Sequence, residues 1–287
     1  MSSTLFKTLI DTATLAQHVT DPRWVVLDCR HDLMNPAFGR DAFAAGHIPG
    51  AQFAGIDDDL SGPKNANDAS FRGRHPLPAR AALIDTLRRF GIGDDTQVVA
   101  YDAHGGMYAA RLWWLLRWMG HEAVAVLDGG LPAWQAAGFD VSTDVTPRSP
   151  GNVSDRPALT RTVTVDDVVA NLTSGVNVVV DARAPDRFRG ENETIDPVGG
   201  HIPGAKNRFF KDNLNADGTF KPAEELWGAF APLFTEPTSA IMQCGSGVTA
   251  CHNLLAMELA GLPGAALYPG SWSEWCADPR RPVATGA

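Results

Sequence analysis

The sequence lacks any apolar run near the roughly 18–20 residues that a helix needs to cross a bilayer. Its first residues also lack a basic region ahead of the short apolar patch, and they lack the small-residue cleavage site of a secretory signal peptide. These absences argue against the membrane-spanning and secreted classes. We therefore expect a cytoplasmic protein that has no membrane partner.

Basic residues are few and scattered. There are 24 lysines and arginines against 33 aspartates and glutamates, which gives a formal net charge of −9, and no run of Lys or Arg occurs. Nucleic acid is therefore not expected as a partner, because binding to its phosphates depends on clustered cations. A small anionic substrate would need individual cations placed close to it.

Cysteine is scarce as well. The four cysteines are too few for a disulfide framework and are not spaced as metal ligands; they are Cys29, Cys244, Cys251 and Cys276. We expect no metal and no cofactor. A redox pair of Cys244 and Cys251 stays open as an alternative use of two of the thiols.

The most informative feature that is present is an internal repeat with a period of roughly 150 residues. Four segments recur in the same order: 25–30 as 178–183, 46–51 (GHIPGA) as 200–205, 98–102 as 240–244, and 127–134 as 267–275. Four ordered matches indicate two copies of one domain. We predict an N-terminal domain at 1–145, a linker at 146–157 and a C-terminal domain at 158–287.

Within each copy, short apolar runs alternate with helical patterns. The runs lie at 24–27, 98–101, 123–127, 176–180, 240–242 and 265–268, and the clearest helices at 78–90, 108–119, 165–172 and 223–230. Strands that are apolar throughout and alternate with helices are typical of a parallel sheet covered on both faces. The predicted fold class is therefore α/β, with two such domains in tandem. Ligands of these sheets bind beyond the carboxyl ends of the strands.

One such strand end carries a cysteine. Residues 240–242 predict a strand that runs into Cys244, the glycine-spaced loop Gly245-Ser246-Gly247 follows, and 248–259 predicts a helix. The first turn of a helix has unpaired N–H groups and a partial positive charge, which stabilise a thiolate. We interpret Cys244 as an activated nucleophile, with a buried structural cysteine as the alternative.

The other copy provides an internal comparison. Where the second copy has Cys244, the first has Asp102, followed by 103–106 (AHGG) and another helical pattern. A carboxylate cannot perform thiol chemistry. We therefore predict that only the C-terminal copy is catalytically active.

The loop 244–250 (CGSGVTA) resembles the active-site loop of the rhodanese-family sulfurtransferases, and it is most similar to their 3-mercaptopyruvate branch. With the repeats, the resemblance extends over nearly the whole chain. It implies tandem rhodanese domains, each a parallel sheet with helices on both faces, of which the N-terminal one is inactive. It also implies transfer of a sulfur atom through a persulfide on Cys244 to an acceptor such as a thiol, cyanide or a thioredoxin-like protein.

The resemblance also implies roles for other residues. Ser246 would form a hydroxyl–imidazole–carboxylate relay with His75 and Asp57, which could deprotonate a thiol donor. Arg187 aligns with a substrate-binding arginine and would pair with the donor carboxylate. The loop residues Gly245, Gly247, Val248 and Thr249 would hold the sulfur with their amides.

One position departs from the family pattern. The animal mercaptopyruvate enzymes have a second arginine after the one that aligns with Arg187, whereas residues 191–197 (ENETIDP) are acidic and contain none. Arg189 and Arg208 are the candidates to replace it.

Other functions remain open to different degrees. A phosphatase of the Cys-x5-Arg type is disfavoured, because Ala250 and Cys251 stand where the arginine would be needed to clamp a phosphoryl group. A thiosulfate donor in place of 3-mercaptopyruvate stays open, although the loop has no cationic side chain. A non-catalytic persulfide carrier or binding module is the alternative from another class.

Overall fold

The computed structural model describes residues 5–65 and 70–287, so residues 1–4 and 66–69 lie outside it. The chain forms two compact units. The first comprises the described residues of Met1–Ser61 with Pro78–Leu159 and Asn215–Phe220; the second comprises those of Gly62–Leu77 with Thr160–Leu214 and Lys221–Ala287. In the sequence, Gly62–Leu77 of the second unit lies between two segments of the first, and Asn215–Phe220 of the first unit lies between two segments of the second. A single boundary along the chain therefore does not separate the two units.

The first unit contains a parallel sheet, which has five strands among the described residues. The strands are β1 (Leu9–Ile10), β2 (Trp24–Asp28), β3 (Gln52–Phe53), β4 (Gln97–Tyr101) and β5 (Val124–Leu127). Their order is β1-β5-β4-β2-β3, and Val25 lies opposite Val98 where β2 pairs with β4. Strands β2, β4 and β5 are buried along their whole length, because both faces of the sheet are covered.

The second unit repeats this arrangement. Its described strands are β6 (Arg161–Thr162), β7 (Val178–Asp181), β8 (Lys206–Asn207), β9 (Ala240–Gln243) and β10 (Ala266–Leu267). They are parallel in the order β6-β10-β9-β7-β8, the same order as in the first sheet. The predicted α/β fold class of two covered parallel sheets is confirmed, and β9 occupies the position that β4 has in the first sheet.

The helices follow the strands in the same alternation. They are α1 (Thr12–Ala16), α2 (Phe38–Ala45), α3 (Arg80–Arg89), α4 (Ala109–Trp118), α5 (Gly130–Ala136), α6 (Val165–Ser174), α7 (Pro185–Arg189), α8 (Ala223–Phe230), α9 (Thr249–Leu259) and α10 (Ser271–Trp275), with short 3-10 helices at Phe210–Asn213, Ala231–Leu233 and Pro237–Ser239. Local sequence determines where α6 begins and ends. A capping box of Thr164 and Asp167 begins the helix, and Gly175, in the left-handed conformation at a φ of 61°, ends it. Within residues 5–65 and 70–287, no helix combines the length and the apolar character that crossing a membrane requires.

Two pairs of repeated residues stabilise the sheets. Asp28 pairs with Arg30 at 2.6 Å in the first unit, and Asp181 pairs with Arg183 at 2.7 Å in the second, all four buried. Each arginine also donates to the backbone carbonyl of the first glycine of the GHIPGA motif, Gly46 or Gly200. These repeated charges therefore hold a strand end to a turn in both units.

Candidate active site

Cys244 is fixed at the carboxyl end of β9, directly ahead of the loop 245–248 and of α9. Its N–H donates to Ser271 Oγ at 3.1 Å, and its carbonyl oxygen accepts from the N–H of Trp272 at 3.0 Å. The residue is only 2% exposed. The predicted nucleophile thus lies at the end of a buried strand and is positioned by the start of α10.

The loop that follows depends on glycine. Gly247 has a φ of +74°, and a Cβ at this position would collide with the carbonyl oxygen of Pro269. A Cβ at Gly245 would lie 3.1 Å from Nη2 of Arg74 and 3.8 Å from Nη2 of Arg187. The absence of side chains therefore lets this backbone turn tightly and approach two guanidinium groups.

The helix start after the loop offers further donors. Val248 is the N-cap residue of α9 and makes no side-chain cap, and Thr249 begins the helix. The first N–H groups of a helix have no acceptor within it and carry partial positive charge, so this end favours an anion. Cys251, in the first turn, directs its thiol to the carbonyl oxygen of Gly247 at 3.3 Å.

Ser246 and His75 come together in the second unit. Their side chains are hydrogen-bonded, with 2.8 Å between Ser246 Oγ and His75 Nδ1, and both residues are buried. His75 arrives on the segment Gly62–Leu77, which belongs to this unit. Next to it, the N–H of Arg74 donates to Ser273 Oγ at 3.0 Å, which fixes the backbone beside the histidine.

Asp57, the third predicted member of the relay, belongs to the first unit and is exposed there. Within that unit its charge acts on His31. Burial lowers the pKa of His31 below its usual value, and the negative charge of Asp57 opposes that shift. The part of Asp57 in a relay with His75 stays a prediction.

Arg187 lies in α7 and is held by two acidic residues of the segment that follows. Its Nη2 is 2.9 Å from Glu193 Oε1 and 3.2 Å from Asp196 Oδ2, and its Nε donates to Glu193 Oε2 at 3.0 Å. Burial alone would raise the pKa of Glu193, but the hydrogen bonds from Arg187 and from the N–H groups of Asp196 and Ile195 outweigh it and lower that pKa. The acidic segment 191–197 therefore positions the predicted substrate arginine.

Arg74 is the residue that sequence reasoning missed. Its Nη1 pairs with Asp196 Oδ1 at 2.6 Å, and its Nη2 is the atom nearest to a Cβ built on Gly245. The two arginines proposed as replacements are engaged elsewhere, since Arg189 pairs with Glu191 and Arg208 with Asp212. The available sequence signal was the position of Arg74, directly before His75.

In the first unit, the corresponding strand–loop–helix turn binds a carboxylate. Asp102, which follows β4, is fully buried, and its two carboxylate oxygens accept hydrogen bonds of 2.7–3.0 Å from four backbone N–H groups: those of His104, Gly106, Tyr108 and Ala109. The loop amides and the first helical amides thus converge on one anion. The repeat that has Asp102 in place of the cysteine thus forms an anion-binding turn and fills it with its own carboxylate.

Comparisons with known proteins agree with this arrangement. The model of the rhodanese-like domain matches residues 11–137 and 164–278. A protein of Pseudomonas aeruginosa named "Probable 3-mercaptopyruvate sulfurtransferase" is 47% identical over 281 residues, which cover 97% of this chain and 98% of the relative. The thiosulfate sulfurtransferase of Mus musculus is 34% identical over 281 residues, 94% of this chain and 92% of that protein.

A solved structure is similar throughout as well. The 3-mercaptopyruvate sulfurtransferase from Leishmania major superimposes with a TM-score of 0.82 at 30% sequence identity, covering 94% of this chain and 74% of that one. The names of these relatives mention two different sulfur donors, 3-mercaptopyruvate and thiosulfate.

Proposed function

The chain belongs to the rhodanese family, and from this premise we propose that it is a sulfurtransferase that moves a sulfur atom from 3-mercaptopyruvate, through a persulfide on Cys244, to an acceptor. The observation that carries the proposal is the convergence, around one strand end, of a thiol, a helix start, a serine–histidine pair and two guanidinium groups.

The first half-reaction begins with the thiolate of Cys244, which attacks the sulfur of the donor. A sulfur–sulfur bond forms as the carbon–sulfur bond of the donor breaks, and the electron pair of that bond passes to the methylene carbon. This carbon takes up a proton to give pyruvate, while the donor sulfur gives up its own. The Ser246–His75 pair is the base that we assign to this proton movement.

The second half-reaction regenerates the enzyme. An acceptor thiolate or cyanide attacks the outer sulfur of the persulfide, the sulfur–sulfur bond breaks, and its electron pair returns to Cys244. The covalent intermediate divides the transfer into two steps and predicts ping-pong kinetics. The acceptor that we propose is a small thiol, cyanide or a thioredoxin-like protein, and the proposed location is the cytoplasm.

The choice of donor rests on the character of the loop. Its side chains are uncharged from Gly245 to Thr249, and the guanidinium groups of Arg74 and Arg187 lie near Gly245. Guanidinium groups suit the planar carboxylate of a 2-oxo acid. A serine–histidine base is useful for a thiol donor, whereas thiosulfate has no thiol proton to lose.

We expect kcat/KM for 3-mercaptopyruvate to exceed that for thiosulfate by at least about tenfold, because only the thiol donor uses both the base and the carboxylate site. The measurement is steady-state transfer to cyanide with each donor at several acceptor concentrations. A clear preference for thiosulfate would show that the donor is wrongly assigned. Persulfide formation on Cys244 without transfer to any acceptor would instead support the carrier module.

His75→Ala is expected to lower kcat with 3-mercaptopyruvate by about 10²–10⁴-fold, the usual contribution of a general base, and to leave thiosulfate turnover nearly unchanged. Ser246→Ala should behave in the same way, since the two side chains are hydrogen-bonded to each other. His104→Ala, at an exposed histidine of the first unit, is the matched control. Equal slowing of both donors by His75→Ala would refute the proton-transfer role.

A further inference from the structure

The first turn of α10 binds the backbone of the nucleophile loop. The N–H of Trp272 donates to the carbonyl oxygen of Cys244 at 3.0 Å. The N–H of Ser273 donates to the carbonyl oxygen of Gly245 at 2.9 Å. Ser271, whose hydroxyl accepts from the N–H of Cys244, has a φ of 55°, and among the described residues it is the one non-glycine residue with a positive φ. Such a conformation costs free energy and persists only where the surrounding structure imposes it, so the start of α10 is shaped to hold the loop.

The same turn of α10 binds the segment that carries the histidine. Ser273 Oγ accepts a hydrogen bond of 3.0 Å from the N–H of Arg74, the residue before His75. The hydroxyl also donates to the carbonyl oxygen of Gly270 at 3.2 Å, and Ser273 is only 4% exposed. Gly73, at a φ of +95°, packs so closely on Gly270 that a Cβ on it would lie 2.7 Å from that carbonyl oxygen. The segment is therefore fixed to the start of α10 directly ahead of His75.

Together these contacts form a closed ring of three hydrogen bonds. The N–H of Ser273 binds Gly245, the residue before Ser246. The hydroxyl of Ser273 binds the N–H of Arg74, the residue before His75. The third bond, of 2.8 Å, joins Ser246 to His75 and closes the ring. Ser246 and His75 are 171 positions apart in the sequence, so the distance between their side chains depends on Ser273, which binds the residue before each.

We propose that Ser273 is a positioning residue for the proton transfer, which sets the distance between Ser246 and His75 and thereby favours a thiol donor over thiosulfate. The proposal rests on the sulfurtransferase function above and concerns the half-reaction in which the donor gives up its proton. Without the hydroxyl of Ser273, the N–H of Arg74 loses this acceptor and His75 can move away from the loop, while Cys244 keeps its own hydrogen bonds to α10. A displacement of about 1 Å in a catalytic arrangement can lower the rate by about 100-fold.

The first test is steady-state kinetics of Ser273→Ala with both donors. The kcat with 3-mercaptopyruvate should fall by about 10–100-fold, whereas turnover of thiosulfate should stay within about twofold of wild type, because thiosulfate has no thiol proton to transfer. Ser174→Ala, at the exposed last residue of α6, is the matched control and should change neither rate. Equal slowing of both donors by Ser273→Ala would overturn the proposal, since a merely structural defect does not distinguish between them.

A double variant tests whether Ser273 acts through the histidine. In His75→Ala protein, the further substitution Ser273→Ala should lower kcat with 3-mercaptopyruvate by less than about twofold, because the base that Ser273 positions is already absent. Additive losses would show that Ser273 acts independently of His75, and the positioning role would be wrong.

A third readout does not require turnover. In protein with isotopically labelled histidine, the Nδ1 resonance of His75 measured by NMR spectroscopy should shift in Ser273→Ala, because its hydrogen bond to Ser246 is loosened, and should not shift in Ser174→Ala. An unchanged His75 resonance in Ser273→Ala would overturn the proposal. Failure of the wild-type protein to form a persulfide with either donor would overturn the sulfurtransferase function instead, and the resonance would still decide whether Ser273 positions His75.

Discussion

Replacing Cys244 by serine is expected to abolish sulfur transfer from both 3-mercaptopyruvate and thiosulfate, with a loss limited only by the detection limit of the assay. A hydroxyl is not ionised at neutral pH and cannot form a persulfide, so both half-reactions lose their nucleophile. Intact mass spectrometry after incubation with each donor should show the mass of one added sulfur atom on wild-type protein and no addition on Cys244→Ser.

Cys251→Ser provides the matched control for that substitution. Cys251 is buried on α9, seven positions along the chain, and its thiol contacts the carbonyl oxygen of Gly247, an acceptor that a serine hydroxyl can also use. We therefore expect this variant to keep most of the activity and the sulfur addition. Loss of the addition in Cys251→Ser with retention in Cys244→Ser would mean that the nucleophile is misassigned.

The sheets could be predicted because their central strands carry the signal. Strands β2, β4 and β9 each contain an apolar run, at 24–27, 98–101 and 240–242, and their repeated order along the chain indicates that two sheets share one topology. The outer strands β1, β3, β6 and β8 were missed. Each has only two residues, and so short a segment has no hydrophobic period to read.

From residue patterns alone, the site could be predicted only where its residues are local to a motif, whereas the Ser246–His75 pair was expected from the family resemblance. Cys244 and Ser246 belong to one loop, whose position at a strand end and a helix start follows from the strand and helix patterns on either side. Arg74 is different, because its partner Asp196 is 122 positions away and no spacing along the chain indicates that pair. The acidic residues near Arg187 were interpreted as a departure from a substrate site, whereas the structure shows Glu193 and Asp196 bound to its guanidinium group.

The loop of the first unit leads to the largest expected effect on stability. Asp102→Ala should lower the free energy of unfolding of this unit by at least about 3 kcal/mol, because it removes the acceptor of four backbone hydrogen bonds inside a buried turn. Asp102→Asn keeps the size of the side chain but replaces one oxygen by an NH2 group, which would face N–H groups that also donate. We therefore expect Asp102→Asn to be destabilising too. Because asparagine has nearly the volume of aspartate, this result would show that the loss of charge and of an acceptor oxygen lowers the stability, and not the loss of side-chain volume.

Guanidinium chloride unfolding measures the total effect, and amide hydrogen exchange locates it. Protection from exchange should fall at His104, Gly106, Tyr108 and Ala109, whose N–H groups lose their acceptor. Asp85 is an exposed residue of helix α3, and the control substitution Asp85→Ala should leave both readouts unchanged. If Asp102→Ala unfolded at the wild-type denaturant concentration with the four amides still protected, the amides would not depend on a bound anion. The turn after β9 would then have no counterpart in the first unit that holds an anion, although the two turns occupy the same position in sheets of the same strand order.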